Sequence, residues 1–221
     1  MTVRVVSYNI LVPIYADRPE IYSKCRPEFL KTDHRWNLIR SQLEQEVHHH
    51  ENTIICLQEL SLTLLPELEL FFRHLDYTLF HHLYGKRHND FMGTAEGQNF
   101  ILVGDFNFDP LDICYKALTE KNYDDYRLPE SSIYEISYRR NAEQVLKSAY
   151  REKNGVEPTY TDFAHTPSCP DYCATLDYIF FNGHLTIENV LELPDYPSTE
   201  SYPDETHPSD HMMIAATIRL P

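Results

Sequence analysis

Five short apolar runs recur along the chain, and each begins or ends at side chains that can carry chemistry. Their length and their β-branched and aromatic content are typical of buried strands. The runs are residues 3–8, 53–57, 100–103, 178–181 and 212–220. Segments with helical spacing lie between them, so the order of elements predicts a layered α/β or α+β domain. The 221 residues are enough to form one hydrophobic core, and we expect a single domain over residues 1–221.

Four segments place apolar residues at the spacing of an amphipathic helix. They span residues 33–47, 67–75, 110–118 and 141–154. Asp109 is the expected N-cap of the third helix, because Pro110 follows it at the first helical position. The Asn-Gly pair at 182–183 predicts a hairpin turn that joins the strand at 178–181 to a partner strand at 185–193.

Acidic residues outnumber basic ones by 34 to 19, which gives a formal net charge of −15. This balance argues against a protein that coats nucleic acid through a broad basic surface, but it is compatible with a pocket of carboxylates around a divalent cation. The five cysteines are odd in number and scattered, so a reducing compartment is expected rather than a disulfide framework. No membrane span or secretory signal is visible, and we expect a cytoplasmic protein, with the nucleus and the mitochondrion as alternatives.

Several common catalytic motifs are missing from the sequence. The six glycines match neither GxGxxG nor GxxxxGK, which argues against dinucleotide-binding and P-loop enzymes. No serine has the GxSxG surroundings of a serine hydrolase, and the HHHE run at 48–51 lacks the second histidine of HExxH. The chemistry must therefore come from another set of residues.

Polar side chains stand at the ends of the predicted strands. They are Asn9, Glu59, Asp105, Asn107, Asp177, Asp210 and His211. If the strands are neighbours, these side chains converge on one edge of the sheet and share a cleft. Carboxylates that lie close together repel one another, and a hard divalent cation with oxygen ligands relieves that repulsion. The pattern predicts a Mg²⁺ site, with Mn²⁺ as the alternative ion.

The same strand ends carry a resemblance to a known family. The sequence resembles, in the right order, the signature of the endonuclease/exonuclease/phosphatase superfamily at SYNIL (7–11), CLQEL (56–60), GDFNFDP (104–110), TLDYIFF (175–181) and HPSDHMMIAA (207–216). Its IYSKC (21–25), R-W (35–36) and PTYTDF (158–163) segments are similar to those of Ccr4-type deadenylases, the branch with nocturnin, Angel and the 2′,5′-phosphodiesterase. The resemblance implies a four-layer αββα sandwich with two packed sheets.

The resemblance also implies a metal site. Glu59 matches the carboxylate that binds Mg²⁺ in the family, and Asn9 and Asp210 match residues that lie beside the metal. A metal near the phosphate stabilises the charge that builds on its nonbridging oxygens during attack. The implied activity is Mg²⁺-dependent hydrolysis of a phosphodiester.

Four further residues match the family's catalytic positions. Asp105 corresponds to the residue that orients and deprotonates the attacking water, and Asn107 to its partner in holding the scissile phosphate. His211 corresponds to the histidine that donates to the phosphate oxygens, and Asp177 to the carboxylate that fixes the tautomer of that histidine. The expected enzyme is a 3′-exoribonuclease resembling a poly(A) deadenylase, which acts on an RNA 3′ end as a monomer.

The interval between Glu59 and Asp105 departs from the family pattern. It spans only 46 positions, and nothing in it matches the family's Thr-His-Leu strand. We therefore expect an internal deletion, with its junction near residues 85–100, that removes part of the central strands and impairs activity. Two alternatives follow: an inactive member that binds RNA or a partner, and a phosphatase for small phosphoesters or lipid headgroups.

Overall fold

A computed structural model describes residues 1–18, 20–81, 99–121, 145–170 and 172–221. Within these ranges it contains nine strands and six helices. The strands are β1 (Thr2–Asn9), β2 (Thr53–Gln58), β3 (Phe100–Asp105), β4 (Lys147–Ser148), β5 (Asp162–Ala164), β6 (Tyr172–Ala174), β7 (Asp177–Asn182), β8 (Thr186–Val190) and β9 (Ile214–Arg219). The helices are α1 (Pro13–Ala16), α2 (Pro27–Leu30), α3 (Thr32–His49), α4 (Leu65–His74), α5 (Ile113–Thr119) and α6 (Ala149–Asn154).

The strands form three sheets. A four-stranded sheet has the order β2-β1-β9-β8, a three-stranded sheet has the order β3-β7-β4, and β5 pairs with β6 alone. Strand β1 runs parallel to β2 and antiparallel to β9. In the three-stranded sheet, β7 is antiparallel to both of its neighbours. The mixed sheet places the ends of β1 and β2 at the same edge, because parallel strands end on the same side.

Apolar side chains divide the molecule into four layers. One core lies between the two larger sheets and joins Val5 of β1 and Ile218 of β9 to Phe181 of β7. A second core packs α3 and α4 against the outer face of the four-stranded sheet. A third packs α5 against the outer face of the three-stranded sheet, around Tyr178 and Phe180. Helix, sheet, sheet and helix therefore follow one another, which confirms the predicted mixed α and β fold and its order of layers.

The predicted hairpin at 182–183 is wrong. Strand β8 does not pair with β7; it pairs with β9 at the edge of the other sheet. Strand β3 pairs along one side of β7, and β4 pairs with Phe180 and Phe181 on the other, so the positions next to the turn that a hairpin would use are occupied. Gly183 does make a turn, with a φ of 93°, but this turn carries the chain from one sheet to the other. The Asn-Gly signal thus identified the turn and not the strand that follows it.

Two predicted helices differ from the structure. Helix α5 begins after Asp112, whose carboxylate accepts the Cys114 N–H at 2.7 Å, whereas Asp109 caps the preceding turn. Of the helix predicted over 141–154, the structure shows only its last part, α6. Residues 147–148 form β4 instead, and residues 141–144 lie outside the described residues. No helix in the described ranges is both long and apolar enough to cross a bilayer.

Strands β2 and β3 flank the interval in which the sequence predicts a deletion. Among the described residues, β2 pairs only with β1, and β3 pairs only with β7. Both strands are half-buried, and Ile54 on β2 is 53% exposed. Most of the predicted junction near 85–100 lies outside the described residues, so the deletion stays a prediction.

A buried ion pair ties α3 to the four-stranded sheet. The Arg4 Nε atom of β1 donates to the Glu46 carboxylate at 2.8 Å, and its Nη1 atom donates to the Thr217 hydroxyl at 3.2 Å. Arg4 and Glu46 are both buried, so each charge depends on the other for compensation. Removing one charge leaves the other unpaired in a medium of low polarity.

We expect Glu46→Gln to lower the free energy of unfolding by about 3–5 kcal/mol, because Arg4 stays buried without a counter-charge. Urea unfolding followed by circular dichroism measures the change. Glu69→Gln is the matched control, since it breaks the exposed Arg73–Glu69 pair and should cost no more than about 1 kcal/mol. Equal losses in the two variants would contradict the assigned role of the buried pair.

Candidate active site

Strand registers bring the predicted site residues together. Asn9 is the last residue of β1 and lies opposite Gln58 of β2, so Glu59 leaves β2 beside it. Asp105 is the last residue of β3 and lies opposite Asp177, the first residue of β7. The two sheets therefore present these side chains at the same end of the sandwich.

Asn9 connects two of the carboxylates. Its Nδ2 atom donates to Glu59 Oε1 at 3.3 Å and to Asp105 Oδ2 at 3.1 Å. Its Oδ1 atom accepts the Leu11 N–H at 3.0 Å, and the Val12 N–H donates to Glu59 Oε2 at 2.9 Å. Asn9 is buried, so its amide holds the two acids in a fixed relation.

A buried arginine fixes the chain just after Asn9. The Arg35 Nη2 atom donates to the carbonyl oxygen of Ile10 at 3.1 Å and also to that of Leu11. Leu11 itself has a φ of 53°, an uncommon backbone conformation for a residue other than glycine. Arg35, part of the R-W pair that resembles the deadenylase branch, thus supports the turn that follows Asn9.

Sharp turns follow two of the strands. Glu59 has a φ of 60° and Asn107 a φ of 52°, in the left-handed region that non-glycine residues rarely adopt. The Asn107 backbone N–H donates to Asp105 Oδ1 at 2.9 Å, and its Nδ2 atom donates to Asp105 Oδ2 at 3.3 Å. Such strain is common at functional sites, where the surrounding contacts hold it.

His211 and Asp177 form a buried pair. The His211 Nδ1 atom lies 2.8 Å from Asp177 Oδ2, and both side chains are almost fully buried. The Thr161 hydroxyl donates to the same Oδ2 at 2.7 Å and accepts the N–H groups of Leu176 and Asp177. Because Nδ1 is held by Asp177, Nε2 is the nitrogen that faces the other acids, 3.8 Å from Asp105 Oδ2.

The surrounding carboxylates favour the protonated form of His211. Burial alone lowers the pKa of its imidazole, but the charge and hydrogen bond of Asp177 and the charges of Asp210 and Asp162 raise it well above its ordinary value. These carboxylates therefore favour the imidazolium over the neutral ring. Such a group donates a charged hydrogen bond to an anion.

Asp162 and Tyr22 also belong to this site, although the sequence did not single them out. One carboxylate oxygen each of Asp162 and Asp210 and a ring nitrogen of His211 lie within 4.8 Å of one another. Burial and the charge of Asp210 raise the pKa of Asp162, and the His211 charge lowers it, with a net rise to about 8. The Tyr22 hydroxyl donates to Asp210 Oδ2 at 2.6 Å.

The missed residues stood in segments already noted for their resemblance. Tyr22 lies in IYSKC, and Thr161 and Asp162 lie in PTYTDF. None of them ends a strand that local patterns predict, since β5 is only three residues long. An aspartate within such a short segment is a weak signal, because an exposed turn aspartate has the same local sequence.

The acids of the cleft fit a divalent cation. Two groups of ligand atoms have all members within 4.8 Å: Asp105, Asp177 and His211 form one, and Asp162, Asp210 and His211 the other. Oδ1 of Asp162 and Oδ1 of Asp177 are buried without a hydrogen-bond partner in the described part of the chain. Carboxylate oxygens that lack donors are satisfied by a hard cation. Glu59 belongs to neither group. It is connected to Asp105 by the Asn9 amide, which donates a hydrogen bond to each of the two carboxylates.

We expect Asp177→Asn to lower the pKa of His211, because the substitution removes the nearest negative charge. The raised pKa stabilises the wild-type fold in full below about pH 6.5, and this contribution is lost as the pH rises through the folded-state pKa. NMR titration of the imidazole signal, identified by its absence in His211→Gln, measures the shift. The exposed Asp195→Asn change is the control; an unchanged His211 titration in Asp177→Asn would refute the assigned coupling.

Two solved structures have a similar fold. A structure of ANGEL2, a 2′,3′-cyclic phosphatase, in complex with adenosine-2′,3′-vanadate superposes with a TM-score of 0.70 at 17% identity; the match covers 100% of this chain and 96% of that one. A second ANGEL2 structure gives a TM-score of 0.68 at 19% identity, over 99% and 95% of the two chains. At these identities the likeness shows the fold.

The comparison with curated proteins gave no match. A family model does match residues 6–211, which include all seven strand-end residues singled out above. The chain belongs to the endonuclease/exonuclease/phosphatase family, whose named activities all hydrolyse phosphoester bonds.

Proposed function

We propose that the protein hydrolyses a phosphodiester at the 3′ end of RNA with a divalent cation, Mg²⁺ or alternatively Mn²⁺. The observation that carries the proposal is the convergence of Glu59, Asp105 and the Asp177–His211 pair on one end of the sandwich. Family membership supports phosphoester hydrolysis as the reaction class. The proposal treats residues 1–221 as one domain that acts as a cytoplasmic monomer.

Glu59 is the residue proposed to hold the cation, with Asn9 and Asp210 beside it. When bound, the cation supplies positive charge at a nonbridging phosphate oxygen. The Asn9 amide holds both Glu59 and Asp105, so the acid proposed to bind the cation and the acid proposed to activate water keep a fixed separation. This fixed arrangement lowers the reorganisation that the reaction would otherwise require.

Asp105 is proposed to accept the proton of the attacking water. Two hydrogen bonds from Asn107 and one from Asn9 orient its carboxylate. His211, held through Nδ1 by Asp177, donates from Nε2 to a nonbridging oxygen of the scissile phosphate. A donor of this kind is commonly worth about 3 kcal/mol in the transition state, or roughly 100-fold in rate.

Two RNA ends are candidate substrates. The deadenylase-like sequence segments favour a poly(A) 3′ end. The structural likeness to ANGEL2, described as a 2′,3′-cyclic phosphatase, favours an RNA that ends in a 2′,3′-cyclic phosphate. Both substrates present a phosphodiester next to a terminal ribose, and a chain with a net charge of −15 suits a short end held in one cleft better than a long track.

We expect Mg²⁺-dependent cleavage that falls at least about 100-fold in Glu59→Gln and in Asp105→Asn, because each change removes a charge that acts in the transition state. The assay compares oligo(A) ending in a 3′-hydroxyl with the same oligomer ending in a 2′,3′-cyclic phosphate, with and without EDTA. Glu69→Gln, on the exposed face of α4, is the control that should keep full activity.

The result separates the candidate functions. Stepwise shortening of oligo(A) supports a deadenylase, and ring opening without shortening supports a cyclic phosphatase. Binding of either RNA without turnover indicates an inactive member, and turnover only of inositol phosphates or sphingomyelin indicates the phosphatase alternative. Cleavage that persists in EDTA or in both site variants would overturn the proposal.

A further inference from the structure

Arg35 is a buried arginine whose hydrogen bonds go to the backbone. It is 3% exposed, and its Nη2 atom donates to the carbonyl oxygen of Ile10 at 3.1 Å and also to that of Leu11. Its Nε and Nη1 atoms are buried with no hydrogen-bond partner among the described residues. Buried donors without partners destabilise a fold, so Arg35 adds less to stability than a fully paired arginine would. What it contributes therefore depends on the two carbonyl groups that it holds.

The same two peptide groups face the candidate site on their other side. The first joins Ile10 to Leu11; its carbonyl accepts from the guanidinium, and its N–H donates to Asn9 Oδ1 at 3.0 Å. The second joins Leu11 to Val12; its carbonyl also accepts from the guanidinium, and its N–H donates to Glu59 Oε2 at 2.9 Å. Two successive peptide groups thus connect one guanidinium nitrogen to two residues of the site.

The geometry of the peptide group makes this connection rigid. A trans peptide is planar, and its carbonyl and N–H point in opposite directions, so holding the carbonyl fixes the direction of the N–H. Leu11 needs such support, because its φ of 53° is a conformation that residues other than glycine rarely adopt. The orientation of Asn9 and Glu59 therefore depends on the guanidinium behind the turn.

The charge of Arg35 acts on a bound cation with the opposite sign. Burial lowers the pKa of the guanidinium and the charge of Asp210 raises it, so Arg35 interacts electrostatically with an acid of the cleft. A fixed positive charge beside the cleft repels a divalent cation. If Arg35 acted through its charge alone, its removal would strengthen cation binding. If it acts by holding the turn, its removal would weaken cation binding.

We propose that Arg35 is a positioning residue that orients Glu59 and Asn9 for cation binding through these two peptide groups, without touching the cation or the substrate. The inference rests on the proposed cation site at Glu59 and adds a residue on which the geometry of that site depends. Groups that orient a metal ligand from behind typically change metal affinity or activity by about 10–100-fold.

The test measures Mn²⁺ binding to the full chain by isothermal titration calorimetry without RNA, and Glu59→Gln identifies the ion that depends on Glu59. Arg35→Met should weaken the binding of this ion about 10–100-fold. Arg35→Lys keeps the charge but lacks the planar guanidinium, so its affinity should lie between those of the wild type and Arg35→Met. Glu46→Gln is the matched control, since it breaks a buried ion pair on the same helix, α3, and should keep the wild-type affinity.

A second measurement separates positioning from a loss of stability. With the RNA end that the wild type cleaves, Arg35→Met should raise the Mg²⁺ concentration that gives half of the maximal rate. Saturating Mg²⁺ should restore most of kcat, and KM for the RNA should stay unchanged. Circular dichroism without metal checks folding, and Arg35→Lys carries both measurements if Arg35→Met does not fold.

Unchanged or tighter Mn²⁺ binding in Arg35→Met would overturn the inference, and so would an equal loss of affinity in Glu46→Gln. If only Arg35→Lys folds, wild-type affinity in that variant would overturn it. A wild type that binds no Mn²⁺ through Glu59 would refute the proposed cation site and this inference together. Normal Mn²⁺ binding without cleavage of RNA would contradict the proposed hydrolysis alone, so the two failures are distinguishable.

Discussion

The mutual repulsion of carboxylates in one cleft is the constraint on which the rest of the structure depends. Acids at the ends of different strands are held within a few ångströms, and in the absence of cations this arrangement is unfavourable. The free energy that opposes the repulsion comes from cores that lie away from the cleft, between and outside the two sheets. Local hydrogen bonds then decide the orientation of each acid, as the Asn9 amide does for Glu59 and Asp105.

The layers explain why the site can be rigid. Strand β7 is buried on both faces: Ile179 and Phe181 pack between the sheets, and Tyr178 and Phe180 pack under α5. Its first residue is Asp177, so the carboxylate that holds His211 starts from one of the most enclosed strands of the molecule. A functional group supported by packed elements keeps its geometry better than one on a loop. The Thr161 hydroxyl adds a further restraint on the same carboxylate oxygen.

The two strands that flank the interval with the predicted deletion carry two of the candidate site residues at their ends. Glu59 follows β2, and Asp105 ends β3. Each of these strands has one paired side within the described residues, so less of its backbone is fixed by ladders than in β1 or β7. Asn9 crosses from the central strand β1 to both acids and therefore contributes more to their placement than an ordinary strand-end asparagine would.

Short-range sequence patterns determined where most of the strands and the candidate site residues lie along the chain. Apolar runs with polar ends identified β1, β2, β3, β7 and β9 and the seven residues at their ends, because a strand that stops at a cleft must change from apolar to polar in sequence. Tertiary structure alone decided which strands are neighbours. It placed β8 beside β9 instead of β7, and it set Asp162 opposite His211 across 49 positions of chain. Pairing between distant segments depends on which ladder positions are still open and on which faces are already covered, and neither property can be read from a short window of sequence.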